Sequence, residues 1–408
     1  MGIAGLAATV ILFIHLGWAV TNLPAFGDEA IMVRAAANFL THGDYSTALT
    51  PAPFDPGVSS GLLATWPGGL GWLLTHRLLG ARIAAALVTW LEGMVLVMLW
   101  TRRLGSDAAR GFGIASILWL FFLRLPLSLS FVWSLGEIPA AIWIGIGLCL
   151  LARSPVSAFV CFGVSVWLGK VIYLPIVVCV GGAWLWTMAA SRKTPSRRLL
   201  LAPAGFILPL IGWLLVIALR YDLTTALAWP HALLALVRSG HSGVDVLTGA
   251  AGIGERLAAH WQLWSGYPVR TRYWVLTCLG SPGLISGALW AGTGVFRPWT
   301  RLEKSCWIAT LIALACYAGW FFLFDPFLWL RHILPAVCLG FGALVYLLVR
   351  VGQAHVTPRI RNRKKFFLVV MTFWLGWQIL TVRPHLAGLL DVRAGYGWSK
   401  TPLPPLGP

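Results

Sequence analysis

The sequence predicts an all-α, polytopic integral membrane protein with about eleven transmembrane helices. Hydrophobic residues make up 58% of the 408 residues, charged residues only 11%, and the mean hydropathy is +0.79. Water-soluble domains of ordinary size cannot bury that much apolar surface. Apolar runs long enough to cross a bilayer recur along the chain, and basic residues cluster between them.

Each predicted span is an apolar run close to the roughly 20 residues that cross a bilayer. The spans fall near residues 3–20, 81–101, 109–125, 138–152, 156–170, 172–190, 200–219, 271–293, 305–323, 332–350 and 366–382. Residues 1–382 therefore form one transmembrane domain, and a Pro-rich tail, 383–408, follows it. The first run lacks a basic segment before it, which favours an uncleaved helix over a signal peptide.

The charges predict one orientation for the whole chain, because positive residues in short loops stay cytoplasmic. With the N-terminus inside, five short loops hold just over half of the 31 basic residues. All acidic residues except Asp107, Glu303 and Glu92 lie outside those loops and spans. We therefore expect a multi-pass protein of a cell membrane such as the bacterial inner membrane, with a first outer loop (21–80) and a second outer segment (221–270) on the periplasmic face. The net charge of +18 then reports topology, and no nucleic-acid partner is expected.

The seven cysteines lie inside apolar runs without a CxxC pair. They are typical of small buried apolar residues, and neither a disulfide framework nor a cysteine metal site is predicted. Glu92 is the one acid deep in a span, and we expect it to pair with Arg82 or Arg124, or to stay protonated.

The first outer loop begins with two adjacent carboxylates, Asp28 and Glu29, followed by a helical pattern. At 100° per residue, one arc is apolar (Met32, Val33, Ala35, Ala36, Phe39, Leu40) and the other polar (Arg34, Asn38, Thr41, His42). This pattern predicts an amphipathic helix along the membrane surface that Gly43 ends in a left-handed turn.

Two interpretations of the acidic pair stay open. Asp28 is a suitable N-cap and Glu29 a suitable first-turn acid, effects worth roughly 0.5 to 2 kcal/mol. A carboxylate at the mouth of a membrane cavity is also suited to act as a general base, and capping does not prevent catalysis.

The succession of motifs resembles the GT-C membrane glycosyltransferases, which include protein O-mannosyltransferases and lipid A aminoarabinose transferases. A first helix, the acidic pair, an amphipathic helix, His-Gly-Asp-Tyr and Thr65-Trp66-Pro67 come in the family's order. Later landmarks are Leu135-Gly136-Glu137-Ile138-Pro139, Gly169-Lys170 with Tyr173-Leu174-Pro175, and Arg331-His332-Ile333-Leu334-Pro335. The resemblance covers residues 1 to about 350, but Trp66-Pro67-Gly68 departs from the family's Tyr-Pro-Pro pattern and no large C-terminal soluble domain follows.

The resemblance implies an inverting glycosyltransferase that takes a sugar from a polyprenyl-phosphate donor and transfers it to a lipid, glycan or protein acceptor on the periplasmic face. Asp28 would be the catalytic base, and Glu29 would orient Asp28 or the acceptor. Cations at the outer ends of spans, Lys170 and Arg331, would bind the donor phosphate with His332.

Each of these cations has a structural alternative. Lys170 is also placed to snorkel to the interface, Arg331 to pair with Asp325, and His332 to pack. Glu137, Arg34 and His42 are candidate substrate-binding residues, although Glu137 is also suited to favour the start of its helix.

Metal binding and the second outer segment complete the predicted site. No metal site is assigned, and a divalent cation held by the acidic pair and His42 is the candidate cofactor. In the second outer segment, Trp229, Trp261, Trp264 and Trp274 are suited to anchor it at the interface, or to stack on sugars as part of a lid.

Three other functional classes compete with the glycosyltransferase interpretation. About eleven helices with outer-facing charges also describe a secondary transporter. Transporters commonly carry ionisable groups near the bilayer midplane, whereas this chain, apart from Glu92, keeps its charges at the ends of spans. A lipid-linked glycan polymerase or ligase would rely on basic residues in a large late loop, and a structural scaffold would leave the acidic pair without a role.

Overall fold

The computed structural model describes most of residues 27–47, 61–103, 136–191, 197–239, 253–266 and 301–323, together with scattered positions elsewhere. Within these residues the chain is 91% helical and contains no strand, which confirms the all-α class. Ten α-helices are described: α1 (Gly27–His42), α2 (Leu62–Thr75), α3 (Leu78–Arg103), α4 (Glu137–Leu150), α5 (Pro155–Gly163), α6 (Leu174–Ser191), α7 (Arg197–Arg220), α8 (Leu223–Ser239), α9 (Ile253–Gly266) and α10 (Arg301–Leu323).

Six of these helices coincide with predicted spans, namely α3, α4, α5, α6, α7 and α10. Two helical stretches in the described part of the chain, Leu78–Leu96 and Leu201–Arg220, are long and apolar enough to cross a membrane. Four apolar helices are shorter: 137–150, 155–169, 171–186 and 307–322. The other predicted spans fall wholly or mostly outside the described residues.

The first outer loop folds into two helices, where the sequence predicted one. α1 has the predicted bounds, and Gly43 follows it at φ +71° with its N–H donating to the carbonyl of Phe39 at 2.8 Å. α2, which has the interior proline Pro67, was not predicted; it turns at His76 into α3.

α1 and α2 pack as an antiparallel pair, the loop pair. Gly69 lies so close to Ala36 that a Cβ on it would fall 2.7 Å from the alanine Cβ, and the Arg34 guanidinium lies 5.4 Å from the Trp72 ring. We expected the apolar arc of α1 to lie along the membrane surface. This expectation is wrong for most of the arc, because protein covers it, although Leu40 is exposed. The buried members of the arc are Met32, Val33, Ala35 and Ala36.

The main core lies among α4, α5, α6 and α10. Its largest fully buried side chains include Ile144, Phe162, Trp184, Tyr317 and Phe321. Here α5 continues as a π-helix (Val164–Gly169), after which Lys170 is extended and a short 3₁₀ turn (Val171–Tyr173) leads into α6. The 155–191 region is therefore one broken helical hairpin with Lys170 at the break.

Contacts of the loop pair mark one end of the bundle, which we call the loop end. Arg82 near the start of α3 binds Glu29, and Gly169 at the end of the π-helix accepts a hydrogen bond from Gly61. Arg220 at the end of α7 donates to the carbonyl of His42. α3 therefore begins at the loop end, whereas the π-helix after α5 and the helix α7 both finish at it.

Candidate functional site

The start of α1 separates its two acids into different environments. Glu29 is fully buried, and its two carboxylate oxygens accept hydrogen bonds from Nε and Nη2 of Arg82 at 2.8 and 2.7 Å. Arg82 is also buried, and its Nη1 donates to the carbonyl of Val20 at 3.3 Å. The forked bond therefore ties the predicted first span, α1 and α3 together at the acidic pair.

Asp28 has a different environment because neighbouring helical residues point about 100° apart. Its side chain is half-buried, whereas that of Glu29 is sealed by Arg82. With the rotation of α1 fixed by the Glu29 bond, the Asp28 carboxylate is held at the boundary between protein and surroundings. Of the two acids, Asp28 is therefore the more accessible.

Arg82 is a site residue that sequence reasoning missed. Arg82 was one of two expected partners of Glu92, the other being Arg124, but Arg82 binds Glu29 instead, and the Glu92 side chain lies beside Trp143 of α4. An arginine at the start of a span just after an acidic outer loop was the available signal.

Glu137 and Lys170 form a second buried ion pair. The Lys170 Nζ lies 2.5 Å from the Glu137 Oε1, and both side chains are less than a tenth exposed. The Tyr173 hydroxyl donates to the backbone carbonyl of Glu137. Lys170 therefore does not snorkel, and Glu137 sits at the first residue of α4 in an ion pair rather than as a side-chain cap.

The backbone around Lys170 fixes this pair beneath the loop pair. The backbone N–H of Lys170 donates to the backbone carbonyl of Ser165 at 2.8 Å and closes the π-helix. The Ser165 hydroxyl donates to the carbonyl of Ala140 on α4 at 2.7 Å. The Gly61 N–H donates to the carbonyl of Gly169 at 2.6 Å, and a Cβ on Gly61 would fall 2.3 Å from the carbonyl oxygen of Leu168. The first outer loop thus seals the helix break by backbone contact.

The loop pair separates the two ion pairs. Arg34 over Trp72 and Tyr45 beside Thr65 set an antiparallel register, so Gly61 lies toward the C-terminal end of α1 and Asp28 at its other end. The eleven residues from Gly61 to Trp72 alone span roughly 16 Å at about 1.5 Å per residue. The structure therefore does not bring Lys170 to Asp28.

Arg34 and His42 also lie apart from Asp28. Arg34 is half-buried over Trp72, and His42 is exposed at the last residue of α1. The fourteen residues between Asp28 and His42 correspond to about 21 Å of helix, so His42 does not complete a metal site with the acidic pair. In the described part of the chain, no group of three or more His, Cys, Asp or Glu side chains is placed to hold a metal ion.

The far end of α1 is joined to the corner between α7 and α8. Phe54 packs on Trp213 and Tyr221, with ring centroids 5.2 and 5.6 Å apart. Burial and the hydrogen bond with Asp44 raise the pKa of Tyr221. Burial also raises the pKa of Tyr45, whose hydroxyl lies 2.8 Å from that of Thr65. These phenols stay neutral and serve as hydrogen-bonding groups at a structural junction.

Two tryptophans of the second outer segment face protein. Trp229 Nε1 donates to the carbonyl of Phe54 at 3.0 Å, and Trp264 packs on Phe322 of α10 at 5.0 Å. Trp261 is 69% exposed and still fits the predicted anchoring role. Trp274 lies outside the described residues.

Arg331 and His332, the remaining candidates for the donor phosphate, lie outside the described residues, as does Asp325. No family model, no curated protein and no solved structure matches the chain.

Proposed function

We propose that the chain is a membrane-embedded inverting glycosyltransferase, and the first step of this proposal is the membrane. The two longest apolar stretches, Leu78–Leu96 and Leu201–Arg220, are only 33% and 28% buried. A core helix of a water-soluble protein is mostly buried, and neither stretch is at the N-terminus, where a signal sequence would be. Large apolar side chains are exposed along both helices: Leu79, Ile83, Leu87, Leu91 and Val95 on α3, and Leu201, Ile207, Leu208, Ile211, Leu215 and Leu219 on α7. Lipid is the solvent for such a surface.

The orientation follows from the same helices. Arg103 ends α3, Arg153 follows α4, and Arg197 and Arg301 begin α7 and α10. The first three lie at the ends of their helices away from the loop end. Because basic residues stay cytoplasmic, we place the loop end on the periplasmic face of a membrane domain with about eleven spans and a cytoplasmic N-terminus.

The observation that carries the enzymatic proposal is the sorting of the acidic pair. Glu29 is neutralised by Arg82, and Asp28 is held half-buried beside it. A catalytic base needs a fixed position and access to substrate, and the forked Glu29–Arg82 bond supplies the first without blocking the second. Glu29 is therefore the positioning residue and Asp28 the base.

In the proposed reaction, Asp28 accepts the proton of an acceptor hydroxyl. The acceptor oxygen attacks the anomeric carbon of a sugar carried on polyprenyl phosphate, and the bond from that carbon to the phosphate oxygen breaks with inversion. Polyprenyl phosphate leaves with the bonding electrons. The leaving phosphate needs cations, and we assign it to Arg331 and His332, because the charge of Lys170 is already balanced by Glu137.

A secondary transporter is the second candidate, and one observation favours it. Transporters place charged groups at helix breaks, and Lys170 lies at a break between a π-helix and a 3₁₀ turn, paired with the buried Glu137. Substrate transport through this break would require the pair to open.

The test compares Asp28→Asn with Glu255→Gln, which removes an exposed first-turn acid from α9. Membranes with each variant receive a radiolabelled polyprenyl-phosphate sugar and a mixture of lipid, glycan and protein acceptors. We expect Asp28→Asn to lower transfer at least about 100-fold, since general bases contribute roughly that much, and Glu255→Gln to leave it unchanged. Normal transfer by Asp28→Asn would overturn the mechanism, whereas uptake of a free solute without transfer would favour the transporter.

A further inference from the structure

Exposed apolar side chains occur both on the second half of α7 and at the start of α8. Ile211, Leu215, Leu219, Leu223 and Leu227 occupy every fourth position, and their exposure ranges from 47% at Ile211 to 87% at Leu219. Positions four apart lie on one face of a helix. Each helix therefore has an exposed apolar face of its own, and the turn at Tyr221 and Asp222 separates the two faces.

α8 has the composition of a helix that avoids water on its exposed side. From Leu223 to Val237 it contains no aspartate, glutamate, lysine or arginine. Leu223, Leu227 and Leu234 are 65%, 61% and 47% exposed. The exposed side chains also include the polar Thr224 and His231, which are fewer polar groups than a helix facing water would carry.

The other side of α8 is fixed to the loop end. Asp222 caps the helix by accepting a hydrogen bond from the Thr225 N–H at 2.7 Å. Trp229 then ties the second turn to the carbonyl of Phe54. These bonds hold α8 beside the first outer loop and leave its leucines directed away from it.

We propose that α8 lies in the membrane interface of the periplasmic leaflet with its leucines among the lipid acyl chains. The helix has 17 residues, about 26 Å, and two residues separate its start from the end of α7 at the loop end. Interfacial helices bury their apolar face roughly 5 to 10 Å into the boundary between headgroups and chains. This inference rests on the membrane placement proposed above and gives the second outer segment a lipid-bound part.

Lipid is the occupant, rather than a partner protein, because only two residues separate α8 from the lipid-facing α7, and the exposed face of α8 is also rich in leucine. From Leu223 to Ala235 the helix carries no aspartate, glutamate, lysine or arginine, and its exposed polar side chains are Thr224 and His231. Lipid acyl chains need no charged group on the helix face that they cover.

Photoactivatable lipids test the placement on the full, unmodified chain in phosphatidylcholine and phosphatidylglycerol vesicles. One probe carries a diazirine near the glycerol and another at the chain end. Trypsin releases α8 in a single peptide, 221–238, between Arg220 and Arg238; it releases α7 in 199–220 and most of α3 in 83–102. We expect 221–238 to be labelled several-fold more by the probe near the glycerol, and the other two peptides to be labelled by the chain-end probe.

The outcomes separate the two proposals. If peptides 199–220 and 83–102 are labelled and 221–238 is labelled by neither probe, α8 is not interfacial while the membrane placement stands. If none of the three is labelled, the membrane placement itself is overturned. In the double variant Leu223→Asn with Leu227→Asn, labelling of 221–238 should fall several-fold and that of 199–220 should not, whereas the exposed Thr224→Ala control should change neither; unchanged labelling in the double variant would contradict the assignment of the leucine face.

Discussion

Two buried ion pairs at the loop end have the same chemistry and different surroundings. In each, a carboxylate in the first turn of a helix meets a cation from another element, and both side chains are nearly inaccessible. Glu29 is held by the two-pronged Arg82, beside the half-buried Asp28. Glu137 is held by the single ammonium of Lys170, beneath Gly61 and beside Tyr173. The two pairs therefore differ in what lies beside them: an acid that is half-buried in one, and backbone and a buried tyrosine in the other.

The two ion pairs hold different parts of the molecule in place. A buried ion pair gives little net stability, because desolvation offsets much of the attraction, but it strongly opposes rearrangement once formed. At the start of α1 that rigidity fixes the half-buried Asp28, the base of our proposed reaction. At the break after the π-helix it holds α4 and the 155–191 hairpin together, and the first outer loop covers it.

The largest effect is expected from Arg82→Ala. The substitution leaves the Glu29 carboxylate buried without the guanidinium group that neutralises it. Breaking a buried ion pair in this way lowers the free energy of unfolding by about 3 to 5 kcal/mol. Transfer activity should be lost as well, because Asp28 loses its fixed position. Thermal unfolding of the purified protein and a transfer assay measure the two effects.

The control for Arg82→Ala is Arg77→Ala, which removes an exposed arginine five residues earlier and should change neither quantity. Arg82→Lys keeps the charge but not the fork, and we expect it to recover stability better than activity. Equal recovery of both would contradict a positioning role.

The second prediction separates the pairs by neutral replacement. Glu29→Gln with Arg82→Met and Glu137→Gln with Lys170→Met should each be more stable than the corresponding single cation variant, by about 1 to 3 kcal/mol, because no unpaired charge stays buried. Only the Glu137 and Lys170 double variant should retain normal transfer. If that variant is inactive while well folded, Lys170 takes part in the reaction, and our assignment of it to the fold is wrong.

The third prediction concerns the cover over the second pair. Gly61→Ala forces a Cβ toward the carbonyl oxygen of Leu168, and backbone on both sides leaves little room to shift. We expect a loss of about 1 to 3 kcal/mol in unfolding free energy. In Gly212→Ala, a helical glycine with nothing within 4 Å, stability should rise by roughly 0.5 to 1 kcal/mol. A harmless Gly61→Ala would mean that the loop does not seal the break.

Sequence patterns predicted the helices well where one property dominates. Apolar runs gave the bounds of α3, α6 and α7 to within a few residues, and the amphipathic period with Gly43 gave α1. α2 was missed because Pro67 and three glycines make it a poor helix by propensity. Packing against α1 and α3 stabilises it, and that contact is tertiary.

Pairing of charges was the part that local reasoning could not supply. Arg82 is 53 residues from Glu29 in the chain, and Lys170 is 33 from Glu137. Each charge had several candidate partners by sequence, and only the fold selects among them. The acidic pair itself was visible in the local sequence, whereas its difference in burial depends on which of the two acids faces Arg82 of α3.

The smallest expected effect belongs to the far end of the loop pair, at Tyr45→Phe. The substitution removes the bond to the Thr65 hydroxyl, which keeps contacts with the carbonyls of Gly61 and Leu62, so the loss should be about 1 kcal/mol. Because burial raises the pKa of Tyr45 in the folded state, its contribution is fully present below the unfolded value of about 10 and falls as pH rises beyond it. The stability gap between wild type and variant, measured by urea unfolding, should therefore be constant near neutral pH and shrink above about pH 10. A gap that widens with pH would show that the Tyr45 phenol ionises more readily in the folded protein, which burial at this junction does not allow.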